Sequence, residues 1–258
     1  MLPIILWLED RIEWKWRIEL RKDNIDINEE IRLNKFMSDA GFCSRREADR
    51  LIEKGEVYVD GFKAVVGQKV KQTQLIECNG RKIGREEELI LLAFNKPRGI
   101  ICSTVDKEGD NIVDFINFGK RIYPIGRLDK ESEGLILLTN DGGISDKILR
   151  SRNNHEKEYI VTVNKNINEE FIKGMAKGVP ILDVITKKCV VEKIDNRTFR
   201  IILTQGLNRQ IRRMCEYFGY KVIKLKRIRI CNIELGDLPV GKYRNISKLE
   251  LKTLKELL

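Results

Sequence analysis

The chain is poor in the residues that most hydrolases and metal sites depend on. It has a single histidine, His155, among 258 residues, and its six cysteines (Cys43, Cys78, Cys102, Cys189, Cys215 and Cys231) include no C-x-x-C pair. A structural zinc wants a cluster of His and Cys at short spacing, so no metal is expected and the cysteines read as reduced core thiols. Serine–histidine hydrolysis would have to rest on His155, and no G-x-S-x-G turn accompanies it. A glycine-rich nucleotide loop is missing as well, so no cofactor is expected. No apolar run approaches the roughly 20 residues of a membrane span. The stretch Leu2 to Leu8 is broken by Pro3 and ends in acidic residues. It lacks both the basic start and the small-residue cleavage site of a secretory signal, which points to a cytoplasmic protein with no membrane partner.

What the chain does have is positive charge. Lys and Arg number 49 against 39 Asp and Glu, a formal net charge of +10. In a chain of globular composition that favours a polyanionic partner, and charge alone does not separate RNA, DNA and an anionic surface. The length suits one ordinary core with a small satellite domain.

The pattern along the chain divides accordingly. Residues 1–30 mix Trp7, Trp14 and Trp16 with alternating charges and read as an appended extension. From Ile31 the signals are compact. Leu33, Phe36 and Met37 stand at helical spacing before Gly41, and Ser44-Arg-Arg-Glu47 reads as a capping box. A second helix follows with Ala48, Leu51 and Ile52 inward and Gly55 as its stop. Val57 and Val59 then alternate into Asp60-Gly61, a hairpin signal. Apolar periodicity stops over Arg81 to Glu88, a linker signal, so the small domain is placed at 31–84 and a second at 88–258. The second opens with the buried strand Leu89 to Phe94. Further strands are expected at Ile122–Ile125, Gly134–Thr139, Tyr159–Val163, Lys187–Val191 and Phe199–Leu203, with helices at Asn168–Lys177 and Asn208–Tyr217. This irregular order favours an α+β fold with a mixed or antiparallel sheet over a doubly wound one. At the C-terminus Ser247-Lys-Leu-Glu250 reads as a capping box for a helix that packs through Leu249, Leu254 and Leu257.

Two segments carry the functional signal. In the first domain Arg32, Lys35, Arg45, Arg46 and Arg50 gather near Ser44, where a helix start offers free N–H groups to a phosphate. Glu47, Asp49 and Glu53 are interleaved, so a solvated charged face explains the same charges equally well. In the second domain Gly126-Arg-Leu-Asp129-Lys-Glu-Ser132-Glu-Gly134-Leu puts a carboxylate in a polar loop between two apolar strands. Loops held by a rigid sheet are frequent functional sites, although an aspartate there also caps turns. A hydrolase built on Asp129 with Glu131 or Glu133 needs two carboxylates converging on one bond, and all three share one short loop.

The order of residues resembles known families in both segments. Arg32-Leu-Asn-Lys-Phe, Ala40-Gly-Phe-Cys-Ser-Arg-Arg-Glu-Ala and Gly55-Glu-Val-Tyr-Val-Asp-Gly61 are similar to the S4-type RNA-binding domain. The G-R-L-D-x-x-S-x-G-L run resembles the signature of the pseudouridine synthases that include the ribosomal small-subunit synthase A and large-subunit synthases B, E and F. Asn95-Lys-Pro-Arg-Gly99, Lys157-Glu-Tyr159 and Gly206-Leu-Asn-Arg-Gln-Ile-Arg-Arg-Met214 extend the likeness across nearly all of residues 31–250. His155 to Val163 and Gly178 to Leu182 look most like the synthase F branch.

This resemblance implies isomerisation of a uridine to pseudouridine in RNA, most directly in large-subunit ribosomal RNA, with transfer RNA a second candidate. It implies Asp129 as the catalytic carboxylate, which must be charged and so needs a neighbouring cation: Arg212 by motif, with Arg209 as the alternative. Tyr159 matches the active-site tyrosine, Leu225 the apolar pocket residue, and Arg127 a residue that fills the place of an extruded base. Lys96 and Arg209 are expected to touch RNA. The basic run Lys221, Lys224, Lys226, Arg227 and Arg229 suits phosphate contacts, and a solvated face is its ordinary explanation. A monomer is assumed. The reading from another class is a non-catalytic ribosome-binding or assembly factor.

Overall fold

The computed structural model describes residues 29–84, 89–103, 110–149 and 154–258, so the extension up to residue 28 and the end of the linker, 85–88, lie outside the described residues. The chain forms two compact units. The first holds the described residues up to Ile90 with Gly119–Ile122 and Asn140–Gly142; the second holds Leu91–Phe118, Tyr123–Thr139 and Gly143–Leu258.

In the first unit a short strand β1 (Ile31–Arg32) runs into helix α1 (Leu33–Asp39), followed by α2 (Arg45–Lys54). Leu33, Phe36 and Met37 of α1 and Ala48 and Ile52 of α2 are buried together, as their spacing requires. Ser44 caps α2 by accepting from the Glu47 N–H, and Gly55 ends it in the left-handed region at φ 75°. The expected capping box is only half formed, because the Glu47 carboxylate turns to Arg50 at 3.2 Å. Strands β2 (Val57–Val59) and β3 (Phe62–Lys63) meet at Asp60-Gly61, whose φ values of 51° and 82° suit a tight hairpin turn. Strand β4 (Lys69–Val70) pairs with β1, while β5 (Ile76–Cys78) and β6 (Arg81–Lys82) complete a sheet of order β3-β2-β5-β6. The start of the expected linker is therefore strand: Arg81 pairs with Cys78, and Ile83 is buried in this core.

The second unit is built on a nine-stranded sheet. Its members in chain order are β7 (Leu91–Lys96), β8 (Tyr123–Ile125), β9 (Glu133–Thr139), β10 (Lys157–Val163), β13 (Val190–Lys193), β14 (Thr198–Leu203), β15 (Val222–Ile230), β16 (Ile233–Glu234) and β17 (Tyr243–Asn245). Strands β11 (Pro180–Ile181) and β12 (Val184–Ile185) form a separate hairpin. The order β13-β14-β10-β15-β9-β7-β17 is antiparallel except where β15 meets β9 in parallel, so the sheet is mixed as expected. Helices α3 (Ile112–Ile116), α4 (Gly142–Leu149), α5 (Glu169–Lys177), α6 (Gln210–Tyr217) and α7 (Lys248–Leu257) accompany it.

Three expectations shift. The strand placed at Leu89–Phe94 runs from Leu91 to Lys96. The strand placed at Lys187–Val191 runs from Val190 to Lys193. In α7 the capping box at Ser247 is complete, but Leu251 and Leu254 are the buried residues, while Leu249 and Leu257 are exposed. Spacing explains Leu249, which faces away from 251 and 254; Leu257, three residues beyond Leu254, is the last residue of the helix. No helix among the described residues is long and apolar enough to cross a membrane. Burial pushes the Cys43 and Cys189 thiols up to about 11 and Cys215 up to about 12, which suits unreactive core residues.

Candidate active site

The centre of the second unit is a cleft of about 680 Å³ whose wall includes Asp129, Tyr159, Arg212, Leu225, Arg227 and Lys157. Each side chain gets there by a local rule. On β10 the two-residue alternation sends Lys157 and Tyr159 to the cleft and Glu158 to the other face, where it binds Arg200 at 2.6 Å and Arg229 at 2.7 Å. On β15, Leu225 and Arg227 pair with Val161 and Tyr159 across the ladder. The register then slips by one residue, Ile228, so that Arg229 sits opposite Glu158. That irregularity keeps Leu225, Arg227 and then Ile230 on the cleft while removing Arg229 from it.

The loop carrying Asp129 is fixed from below. Lys96, fully buried at 0% exposure, donates from Nζ to the carbonyls of Ser132 at 2.8 Å, Pro97 at 2.9 Å and Asp129 at 3.3 Å. The Ser132 N–H returns to the Asp129 carbonyl at 3.0 Å, and the Gly99 N–H to that of Lys130 at 2.8 Å. The expectation that Lys96 touches RNA is thus corrected, because its ammonium is consumed by the backbone it organises. Desolvation lowers its pKa below the ordinary lysine value, as burial of a cation must.

Gly134 ends the loop at φ 103°, and a Cβ there would meet the carbonyl oxygen of Arg227 at 2.2 Å and its nitrogen at 2.7 Å. Only glycine permits this parallel approach of β9 to β15.

Asp129 is one-third exposed, with Arg212 Nε at 3.5 Å and Arg209 Nη1 at 3.8 Å from its Oδ2. The two cations differ. Arg212 is buried and also donates to the Ser132 hydroxyl at 3.1 Å, whereas Arg209 is exposed and lies closer to Glu131, at 3.2 Å. The hydrogen bond from Arg209 pulls the Glu131 carboxyl below its ordinary pKa. Arg212 Nε has no hydrogen-bond partner, so its role here is that of a neighbouring charge. A carboxylate presented to a cleft beside a buried guanidinium can act as nucleophile or base, and an adjoining tyrosine can stack on a planar group or transfer a proton.

Other expected residues lie elsewhere. Arg127 is exposed at the cleft wall. In the first unit Arg32, Ser44, Arg45, Arg46 and Arg50 are exposed and Lys35 is half-buried, pairing with Asp39 at 3.9 Å. Arg32, Arg45 and Arg46 have no ion pair among the described residues, so of this set they are the cations most available to an anion. Arg227 was legible only as one member of a basic run, yet it is 3% exposed and lines the cleft. A period-two reading of β15 would have separated Leu225 and Arg227 from the lysines, but it would also have put Arg229 in the cleft.

Comparison with known proteins agrees with this architecture. Residues 90–217 match the family model described as RNA pseudouridylate synthase, and residues 31–76 match the S4 domain. The dual-specificity RNA pseudouridine synthase RluF of Escherichia coli (strain K12) is 56% identical over 88% of this chain and 79% of its own. The ribosomal large subunit pseudouridine synthase B of Bacillus subtilis (strain 168) is 37% identical over 88% of this chain and 96% of its own. A solved structure titled crystal structure of pseudouridylate synthase, 28% identical, superposes with a TM-score of 0.65 over 87% of this chain and 99% of that one.

Proposed function

We propose a function from one premise, that the chain belongs to the RNA pseudouridylate synthase family. It is a pseudouridine synthase, an isomerase that acts on RNA, and our reading adds its substrate and its working residues. The substrate is a uridine of large-subunit ribosomal RNA, which is what the name of the Bacillus subtilis relative states for that protein; the dual specificity in the name of the Escherichia coli relative makes transfer RNA the second class to test. We read residues 31–84 as the RNA-binding domain, 88–258 as the catalytic domain, and the enzyme as a cytoplasmic monomer.

The observation that carries the reading is Asp129, presented to the cleft beside Tyr159 with Arg212 at 3.5 Å. In the reaction the bond from ribose C1′ to uracil N1 breaks, the base turns, a bond from C1′ to C5 forms and the C5 proton moves to N1. No outside group is consumed, so the protein has to supply one charged carboxylate, a place for the turning base and a route for one proton. Asp129 is the carboxylate and Arg212 the cation that favours its charge. Tyr159 stacks on the uracil and takes part in moving the C5 proton, and Leu225 lines the base pocket. The target base has to leave the helix to enter the cleft, at a cost of a few kcal/mol that stacking partly offsets. Arg127 and Arg209 at the rim, with Arg45 and Arg46 in the first unit, contact the RNA.

The test is pseudouridine mapping by carbodiimide-dependent primer-extension stops on ribosomal RNA from a deletion strain, complemented by wild type or by Asp129→Asn. Loss of one large-subunit stop, restored only by wild type, is expected. Restoration by Asp129→Asn would overturn the role of Asp129, and persistence of every stop in the deletion strain would overturn the ribosomal assignment.

A further inference from the structure

Arg227 is a buried cation on the cleft wall and has no part in the mechanism so far. Its Nε donates to the Leu135 carbonyl at 2.6 Å, but Nη2 is buried without a partner. No carboxylate pairs with it among the described residues; the Asp129 carboxylate is held by Arg212 and Arg209. Two charged neighbours, Lys157 and Lys96, have the same sign. The Arg227 charge adds to burial in lowering the pKa of both Lys157, which also lines the cleft, and Lys96. A guanidinium removed from water beside two other cations is unfavourable unless something compensates it. A phosphate does not suit it, because the side chain is 97% buried at the cleft wall, while phosphates of a bound strand remain near solvent. Its guanidinium carbon lies over the ring of Tyr159, its partner across the ladder, 6.0 Å from the ring centre. That distant cation–π contact leaves Nη2 without a hydrogen-bond acceptor, which a flat group entering beside the ring can supply.

We propose that Arg227 binds the uracil itself, donating to a ring carbonyl oxygen and stabilising the base while it is detached. This rests on the pseudouridine-synthase reading and deepens it. By whichever route the C1′–N1 bond opens, its electron pair stays with the base, and the charge spreads from N1 onto O2 and O4. The base's pair then forms the C1′–C5 bond; the C5–H bond breaks, its pair returns to the ring, and N1 takes up the proton released from C5. The charge on the carbonyl oxygens is therefore greatest between the two bonds, when the base is no longer tethered. A donor fixed before the reaction at that point lowers the barrier without tightening binding of the substrate.

The experiment pairs a protein change with an atom change in the RNA. Wild type, Arg227→Met and Arg227→Lys are assayed under single turnover on a stem-loop spanning the mapped uridine, carrying uridine, 2-thiouridine or 4-thiouridine at the target. Thermal midpoint and RNA dissociation constant are measured alongside. Arg227→Met is expected to slow the chemical step by about 10²-fold with unchanged RNA affinity, as for loss of one preorganised donor; Arg227→Lys is expected to recover part of that loss. Sulfur accepts hydrogen bonds poorly, so one of the two thio substitutions is expected to slow wild type strongly and Arg227→Met hardly at all. Equal thio effects in wild type and Arg227→Met at both positions would overturn the contact and leave Arg227 as a brace for Leu135, even if the variant were slow or unstable. Weakened RNA binding with an unchanged rate would show a phosphate contact and overturn it as well. A wild type that fails on the uridine stem-loop would bring down the underlying reading, an outcome separate from a failed coupling.

Discussion

The two units use arginine in opposite ways. Around the start of α2, Arg45, Arg46 and Arg50 are exposed, and Arg50 already leans on Glu47. In the cleft, Arg212 and Arg227 are 8% and 3% exposed, and each has a guanidinium nitrogen without a hydrogen-bond partner. An exposed cation keeps its water and costs the fold little, so its contribution to RNA binding comes from releasing counterions and is graded and salt-sensitive. A buried cation lowers the stability of the free protein and is retained where its field acts on a reacting group. On the proposed reading the first kind sets how tightly RNA is held and the second what happens to it.

The change that would break this contrast most sharply is Asp129→Asn. Its expected effect is a fall in pseudouridine formation of about 10³-fold or more, with RNA affinity unchanged in a filter-binding assay. If affinity fell instead of rate, the cleft would be another binding surface and the contrast would disappear. Lys96→Met comes next. It leaves the carbonyls of Ser132 and Pro97 without their donor, and about 3 kcal/mol of stability is expected to be lost along with activity, measured by denaturant unfolding. A variant as stable as wild type would show that the Asp129 loop does not depend on Lys96.

Glu158→Gln tests whether buried charge without chemistry behaves differently. Glu158 is buried between Arg200 and Arg229 on the face of β10 away from the cleft, so about 2 kcal/mol of stability is expected to go, less than for a fully enclosed pair because Arg200 is one-third exposed. The rate per folded molecule should not change. The hydrogen bond from Arg200, then that from Arg229, hold the Glu158 carboxyl below its ordinary 4.5 against a desolvation that pushes it up. Folding therefore favours the ionised form. That stabilisation is complete above the unfolded-state value and is lost as pH falls through the lowered native one, so wild type and Glu158→Gln should converge in stability in acid. The smallest effect belongs to the exposed set. Arg45→Gln with Arg46→Gln is expected to weaken RNA binding roughly tenfold and to leave the single-turnover rate at saturating RNA unchanged. The log–log salt dependence should flatten by about 0.7 to 0.9 for each phosphate no longer neutralised.

How far these regions could be read in advance follows the same division. The first unit was legible because its signals are local: α1 and α2 carry a helical period, and Asp60-Gly61 supplies the positive φ values of a tight turn. Even there the capping box failed by half, since Glu47 had a choice between its own N-cap and Arg50, three residues on. In the second unit the G-R-L-D loop and its strands were legible, as was the nearness of Arg212 and Arg209 to Asp129. Lys96 was misplaced because a lysine's sequence neighbours do not reveal whether carbonyls from a loop more than thirty residues away will surround its ammonium.

By itself the sequence determined the two-part organisation, the mixed sheet, the family and the loop that presents Asp129, since these depend on periodicity, turn residues and a contiguous motif. The tertiary structure decided which cations work inside. Strict alternation on β15 would put Arg227 and Arg229 on one face, and the one-residue slip at Ile228 separates them, leaving Arg227 in the cleft and handing Arg229 to Glu158. That slip depends on pairing with β10, a strand some seventy residues away in the chain, and on the bare backbone of Gly134 where β9 closes on Arg227. Pairing register is a property of two strands together, so neither strand's own residues could have announced it.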